Sequence, residues 1–187
     1  MKQILPLLLL LFMSMNLKAE NGKWRVIKNK LYSLELPVEW KPQNGMPGDG
    51  YEPGRREAAP YIIHYFAWSK PLKSKDDAPT LIGINIQTYE KQDGSIMSMD
   101  EARKRTILSW DRIEKTLHSS SDEWRCTTIR TSKEMDGSMV DYRGFYLLKK
   151  KGNRVHCISL SLRENFYKKS PDMQNLILHI LDSFKVN

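Results

Sequence analysis

Residues 32–40, Tyr-Ser-Leu-Glu-Leu-Pro-Val-Glu-Trp, constrain the fold more than any other stretch of the chain. Tyr32, Leu34 and Leu36 alternate with Ser33 and Glu35, the period of two that marks a strand with one buried face. Pro37 has no N–H to give to a central ladder, so the chain must leave the sheet there. Trp40, three residues on, is placed to cap the edge of the core. The stretch predicts strand, exit and anchor, with the rest of the chain organised around the sheet it seeds.

The first residues have the polarity of an export signal. Lys2 precedes an apolar run from Ile4 to Phe12, and Ala19 stands before the polar Glu20-Asn-Gly. A charged start, an apolar core of roughly 7–15 residues and a small residue at the cut define a secretory signal peptide, expected here over residues 1–19. The run is shorter than the about 20 residues that span a bilayer, and no later segment is long enough, so no transmembrane segment is expected after cleavage. Lys2 and Lys18 leave with the leader. The remaining residues, 20–187, carry 28 Lys and Arg against 22 Asp and Glu, a net charge of +6. That length suits a single domain with a full core. The charge points toward anionic partners in the cell envelope, although without a block of like charges a solvated basic surface is the plainer account.

Trp24–Ile27 and Leu31–Leu36 read as two strands joined by a turn at 28–30. Lys41–Pro60 holds four prolines and four glycines, a density that argues against helix and strand alike. A connection of about 20 residues inside a domain is either a functional loop or a mobile one. Tyr61–Trp68 is apolar at nearly every position, as in a strand covered on both faces. Leu81–Tyr89 alternates, with Ile82, Ile84 and Ile86 on one face. Ser98-Met-Asp-Glu101 is a capping box, and Ala102, Thr106, Trp110, Ile113 and Leu117 continue it as the stripe of one long helix. Three strands follow, Trp124–Thr131, Met139–Lys149 and Arg154–Arg163, with turn signals at Asp136-Gly137 and Gly152-Asn153 that predict a meander. Ser170-Pro-Asp172 opens a last helix whose apolar face runs from Met173 to Phe184.

Clustered antiparallel strands with helices between and after them predict an α+β fold, a mainly antiparallel sheet of about six to seven strands with helices on its faces in an α/β/α sandwich. The opening Tyr32–Trp40 stretch, the closing helix with Ser183-Phe184 and the order of elements between them resemble the PsbP-like superfamily. That superfamily is named for an extrinsic photosystem II protein and is shared with a Ran-binding nuclear-import factor and exported bacterial proteins. The resemblance implies a PsbP-like domain that binds, scaffolds or chaperones, and it supplies no catalytic residues.

The residues themselves carry no catalytic motif. His64, His118, His156 and His179 lack the spacing of metal ligands, no Cys-x-x-Cys is present, and no Gly-x-Ser-x-Gly elbow occurs, so no metal and no cofactor are expected. Trp24, Trp40, Trp68 and Trp124 stand near Lys or Arg, but they belong to separate apolar strands, and core packing accounts for them better than nucleic acid does. The candidate ligand-binding cluster is Asp49, Tyr51, Glu52, Arg55 and Arg56 in the 41–60 loop, with Trp40 as a stacking wall at its start. The competing account pairs Arg55 and Arg56 with Glu52 and Glu57 at the surface. The expected function is a secreted or periplasmic, non-enzymatic binding or scaffold domain acting in the cell envelope on a protein or an anionic envelope ligand. The alternative is an envelope hydrolase using Asp49 and Glu52.

Cys126 and Cys157 are expected to form no disulfide. A two-residue turn at Asp136-Gly137 would set Cys126 opposite Leu147 and so on the face away from Cys157, with the middle strand between them. Export makes a first prediction: mass spectrometry of the protein recovered outside the cytoplasm should show a chain starting at or near Glu20, and an intact Met1 would contradict it.

Overall fold

The computed structural model describes residues 24–42, 54–69, 83–107, 109–134 and 136–187. Within them the opening alternation forms β2 (Tyr32–Pro37), antiparallel to β1 (Trp24–Lys28), with Pro37 opposite Trp24 at the end of the ladder. The missing N–H of Pro37 is tolerated at that end position. Trp40 N–H donates to the Pro37 carbonyl at 3.0 Å, and the Trp40 ring drops into the core at 1% exposure. Asn29 holds the turn between the strands, its Oδ1 accepting from the Leu31 and Tyr32 N–H groups at 2.8 and 3.0 Å. These strands do not seed the large sheet. They make a three-stranded sheet of their own with β11 (Lys185–Val186), in the order β1-β2-β11.

The large sheet is antiparallel and comprises β3 (Lys41–Pro42), β4 (Gly54–Ala58), β5 (Tyr61–Ser69), β6 (Gly83–Lys91), β7 (Arg112–Ser119), β8 (Glu123–Lys133), β9 (Met139–Lys151) and β10 (Arg154–Arg163). Its order is β3-β5-β6-β10-β9-β8-β7, and β4 also pairs with β5. The 41–60 segment therefore holds two short strands where its composition argued for none. Both add to the outer side of β5, and an edge strand has one side free of ladder bonds, so it accepts proline and glycine that a central strand would reject. Ile82 lies outside the described residues.

Three helices accompany the sheets among the described residues: α1 (Met99–Thr106), α2 (Glu164–Lys169) and α3 (Pro171–Ser183). The capping box is present, with Glu101 N–H donating to Ser98 Oγ at 3.2 Å and Ser98 N–H donating to Glu101 Oε2 at 3.0 Å. The helix ends at Thr106, however, and does not run on to Leu117. Trp110, Ile113 and Leu117 are 61%, 42% and 49% exposed, so the stripe that suggested one long helix is not a buried face. Residues 112–119 instead pair with β8, whose outer N–H and C=O groups need partners. Two register shifts along β7, between Ile113 and Lys115 and between Thr116 and His118, are bulges that blunt the outer edge of the sheet against further pairing.

The β8–β9 hairpin closes with Glu134 N–H donating to the Ser138 carbonyl at 2.8 Å, and Gly137 adopts φ +85°. The turn thus holds one residue more than the two-residue form expected, with glycine at the left-handed position. The register moves by one, so Cys126 lies opposite Tyr146, and Cys157 opposite Leu148 and through it Trp124. Cys126 and Cys157 consequently share a face, contrary to the expectation, and are held as free thiols with β9 between them. Burial pushes both thiols up to about 12.

Each face of the large sheet has its own core. On one, Phe66, Trp68, Ile84, Ile86, Ile158 and Leu160 meet α3 and the three-stranded sheet. On the other, Trp124, Leu148 and Val155 pack under Met97 and Ala102 of the α1 region. Lys149 Nζ donates to the Phe184 carbonyl at 2.8 Å at the end of α3, and the Glu35 N–H donates to Ser183 Oγ at 2.9 Å. His179 bonds Glu35 at 2.7 Å and stacks on Trp24, while Asp182 accepts from Arg125. Arg143 grips Glu164 with two bonds of 2.6 and 2.8 Å and also bonds Glu114, tying α2 and β7 to β9.

His156 is buried at 2% exposure and bonded to Thr88 at 2.9 Å between side chains. Burial, aided by the nearby charge of Arg154, lowers its pKa to about 4. The unfolded chain takes up this proton near 6.5 and the folded chain only near 4, so acid favours unfolding across that window. Stability should fall by on the order of 3 kcal/mol through this group between about pH 7 and pH 4. Chemical denaturation as a function of pH checks this, with His156→Gln expected to flatten that part of the profile.

Candidate functional site

The pleat puts alternate residues of each strand on opposite faces. On the α1 face, the register aligns Asn85, Ser159, Tyr146 and Cys126 in one row across the sheet, and Gly83, Ser161, Gly144 and Thr128 in the next. Large apolar side chains fill the rows beneath α1, whereas serine, glycine and asparagine occupy the rows beyond its C-terminus. Small side chains between large ones leave a depression, and here it is a cavity of about 420 Å³.

Charged groups from four elements converge on it. Arg105 and Thr106 come from the last turn of α1, Asp111 from the connection to β7, Arg130 from β8 and Arg56 from β4. Each guanidinium lies near a tyrosine ring, Arg105 3.6 Å from the centre of Tyr61, Arg130 5.3 Å from Tyr142 and Arg56 6.0 Å from Tyr65. None of the three pairs with a carboxylate among the described residues. Arg55, Arg103, Arg125, Arg143, Arg154 and Arg163 all do. Arg130 Nε is moreover buried without a hydrogen-bond partner. Against three positive charges the wall sets one carboxylate, Asp111, which accepts from the Tyr146 hydroxyl at 3.0 Å.

Three phenols complete the polar lining, Tyr89, Tyr146 and Tyr142, the last donating to Glu134. Tyr89 donates to Gln87 Oε1 and accepts from Thr106 Oγ1 at 3.3 Å. Burial pushes the Tyr89 and Tyr146 phenols well above the ordinary value, with Cys157 adding at Tyr89 and Asp111 at Tyr146, so both stay protonated at neutral pH. The described lining contains no His, Cys or Lys, and the single carboxylate has no second acid beside it for paired acid and base work. No group of three or more His, Cys, Asp or Glu side chains suited to a metal occurs among the described residues.

Of the residues singled out from sequence, Arg56 lies on the cavity wall. Arg55, one position along β4, points the other way and bonds Glu57 at 3.0 Å on the surface. Trp40 is a core residue, and its buried ring offers no wall to a ligand. Asp49, Tyr51 and Glu52 lie outside the described residues. Arg105, Arg130, Asp111 and the three tyrosines were not singled out. Their one sequence trace is that Asn85 and Gln87 in β6, and Ser159 and Ser161 in β10, alternate with buried aliphatics, a pattern that an ordinary solvated face shares.

No protein-family model matches the sequence, and no curated protein matches it. Among solved structures the chain is similar to the Ran-binding protein Mog1p of Saccharomyces cerevisiae, at 10% identity over 87% of this chain and 95% of that one, with a TM-score of 0.48. It is also similar to LpqN, involved in cell envelope biogenesis of Mycobacterium tuberculosis, at 11% identity over 83% of each chain, with a TM-score of 0.42. No helix among the described residues is long and apolar enough to cross a membrane.

Gly144 sets the shape of the floor. A Cβ there would come within 2.4 Å of Thr128 Oγ1 and 2.9 Å of the Tyr146 ring. Gly144→Ala should therefore cost about 1–3 kcal/mol through overpacking, measured as a lower denaturant midpoint at unchanged slope.

Proposed function

We propose that the chain is an exported binding domain of the PsbP-like kind that acts in the cell envelope and holds an anionic ligand in the cavity on the α1 face of its sheet. The observation that carries this reading is the contrast among the arginines: Arg56, Arg105 and Arg130 face the cavity with no carboxylate partner among the described residues, while six others are paired. Arg130, half-buried and with no carboxylate partner among the described residues, loses hydration without gaining an ion pair, and a bound phosphate or carboxylate supplies both charge and hydrogen bonds, with the exposed Arg56 and Arg105 adding charge at the rim. The leader-like N-terminus and the net charge of +6 expected after its removal support an encounter with anionic material outside the cytoplasm. Lone Asp111 supports binding over hydrolysis, since among the described lining residues there is no second acid beside it and no histidine to activate the serine hydroxyls.

Isothermal titration of the protein with inorganic phosphate tests the reading. Binding should weaken as salt is raised. In Arg105→Gln with Arg130→Gln it should fall at least about tenfold, the loss of one or two charge-assisted hydrogen bonds, whereas Arg55→Gln on the neighbouring surface should leave it unchanged. Equal binding in the double variant and the parent protein would overturn the assignment.

A further inference from the structure

Asp111 is out of place in a site built only for an anion. Its carboxylate shares the cavity wall with the three guanidiniums, so it would repel a bare phosphate or carboxylate. It becomes an asset when the ligand also brings hydrogen-bond donors such as hydroxyls, because an ionised carboxylate accepts hydrogen bonds and cannot donate them. The Tyr146 hydroxyl already donates to one of its oxygens, at 3.0 Å, and leaves further acceptor sites on the group.

The floor carries the same signature. Asn85, Gln87, Ser159 and Ser161 are amides and hydroxyls that both donate and accept, which matches ligand groups that do the same. An acceptor-only anion would use half of that capacity. The half-buried rings of Tyr142 and Tyr146 add flat apolar surface beside these polar groups, as the C–H face of a pyranose requires. The cavity, about 420 Å³, lies at the small end of the range of about 300–1,000 Å³ for small-molecule pockets, a size that suits a single sugar unit or the end of a chain.

Building on the anion-binding reading, we infer that the ligand is a carbohydrate bearing one anionic group, a phosphate ester or a carboxylate, with the arginines taking the anion and Asp111 and the sheet floor taking the hydroxyls. The shared chemistry is an anionic polyol, and the two kinds of anionic group are separated by experiment.

Calorimetric titrations with inorganic phosphate, glucose, glucose 6-phosphate and galacturonate, on the parent protein and on Asp111→Asn, test this. One of the two sugar anions should bind at least about tenfold more tightly than both phosphate and glucose, the gain of a hydrogen-bonded polyol over either half alone. Which of them binds more tightly identifies the anionic group. Asp111→Asn keeps an acceptor for Tyr146 but removes the charge, which relieves repulsion of both anions and weakens only the hydroxyl contact, so the advantage of the sugar anion over phosphate should shrink by about tenfold. Ser161→Ala, at an exposed position, should weaken the sugar anion and leave phosphate unchanged, and thermal unfolding verifies that both variants are folded. If phosphate binds and neither sugar anion improves on it, or if Asp111→Asn leaves the ratio of sugar-anion to phosphate affinity unchanged, the carbohydrate assignment is wrong while the anion site stands. If nothing in the panel binds, the anion-binding reading falls with it.

Discussion

The pleat of the large sheet governs both the stability of this fold and its candidate site. Because successive side chains must point to opposite faces, β6 and β10 serve two masters. Ile84, Ile86, Ile158 and Leu160 supply the core beneath α3 and the three-stranded sheet, while Asn85, Gln87, Ser159 and Ser161, one residue away, lie on the cavity side. The apolar half holds the strands in register with enough buried area that the other half can be polar and partly empty. A one-residue slip would exchange the two sets, so the core that stabilises the sheet also locks the cavity floor in place.

The cavity also depends on what does not cover it. α1 has eight residues, about 12 Å of helix, enough to roof only the rows that contain Trp124, Leu148 and Val155. The chain then crosses to the sheet edge and becomes β7, carrying Asp111 past the open rows as it goes. A helix continued to Leu117 would have reached further over that face. The short helix thus has two consequences, a partner for the outer edge of β8 and a cavity rimmed by Arg105 and Thr106 from its final turn. The polar groups are placed by the apolar frame in other ways too: Arg130 sits opposite Tyr142 in the β8–β9 ladder, and Arg56 opposite Ile63 in the β4–β5 ladder.

Nine of the arginines fall into two populations by partner, six paired with carboxylates and three on the cavity wall. Arg143 bonds Glu164 and Glu114, and removing it would leave the buried Glu164 carboxylate with the exposed Lys168 as its remaining cationic partner among the described residues. Arg56, Arg105 and Arg130 rest on tyrosine faces, which hold a guanidinium in place without neutralising it. The first population stabilises the fold. The second faces the cavity with no carboxylate partner among the described residues.

Local sequence by itself determined the elements whose cause is local. Ser98 and Glu101 cap a helix through bonds within one turn, Pro37 ends a ladder through its own missing N–H, Gly152-Asn153 makes a two-residue hairpin, and the aliphatic face of the last helix is present in its spacing. Tertiary structure decided whatever depended on a partner distant in the chain. The stripe ending at Leu117 satisfied a helical period, yet 112–119 became a strand because β8 offered unpaired backbone groups. Prolines and glycines in 41–60 disfavoured regular structure, yet the free side of β5 accepted two short edge strands. One added residue in the Glu134–Ser138 turn put Cys126 on the face of Cys157. The candidate site belongs wholly to this second group: Arg56, Arg105, Asp111 and Arg130 come from four elements, and only the pairing of the strands and the early end of α1 bring their charges to one cavity.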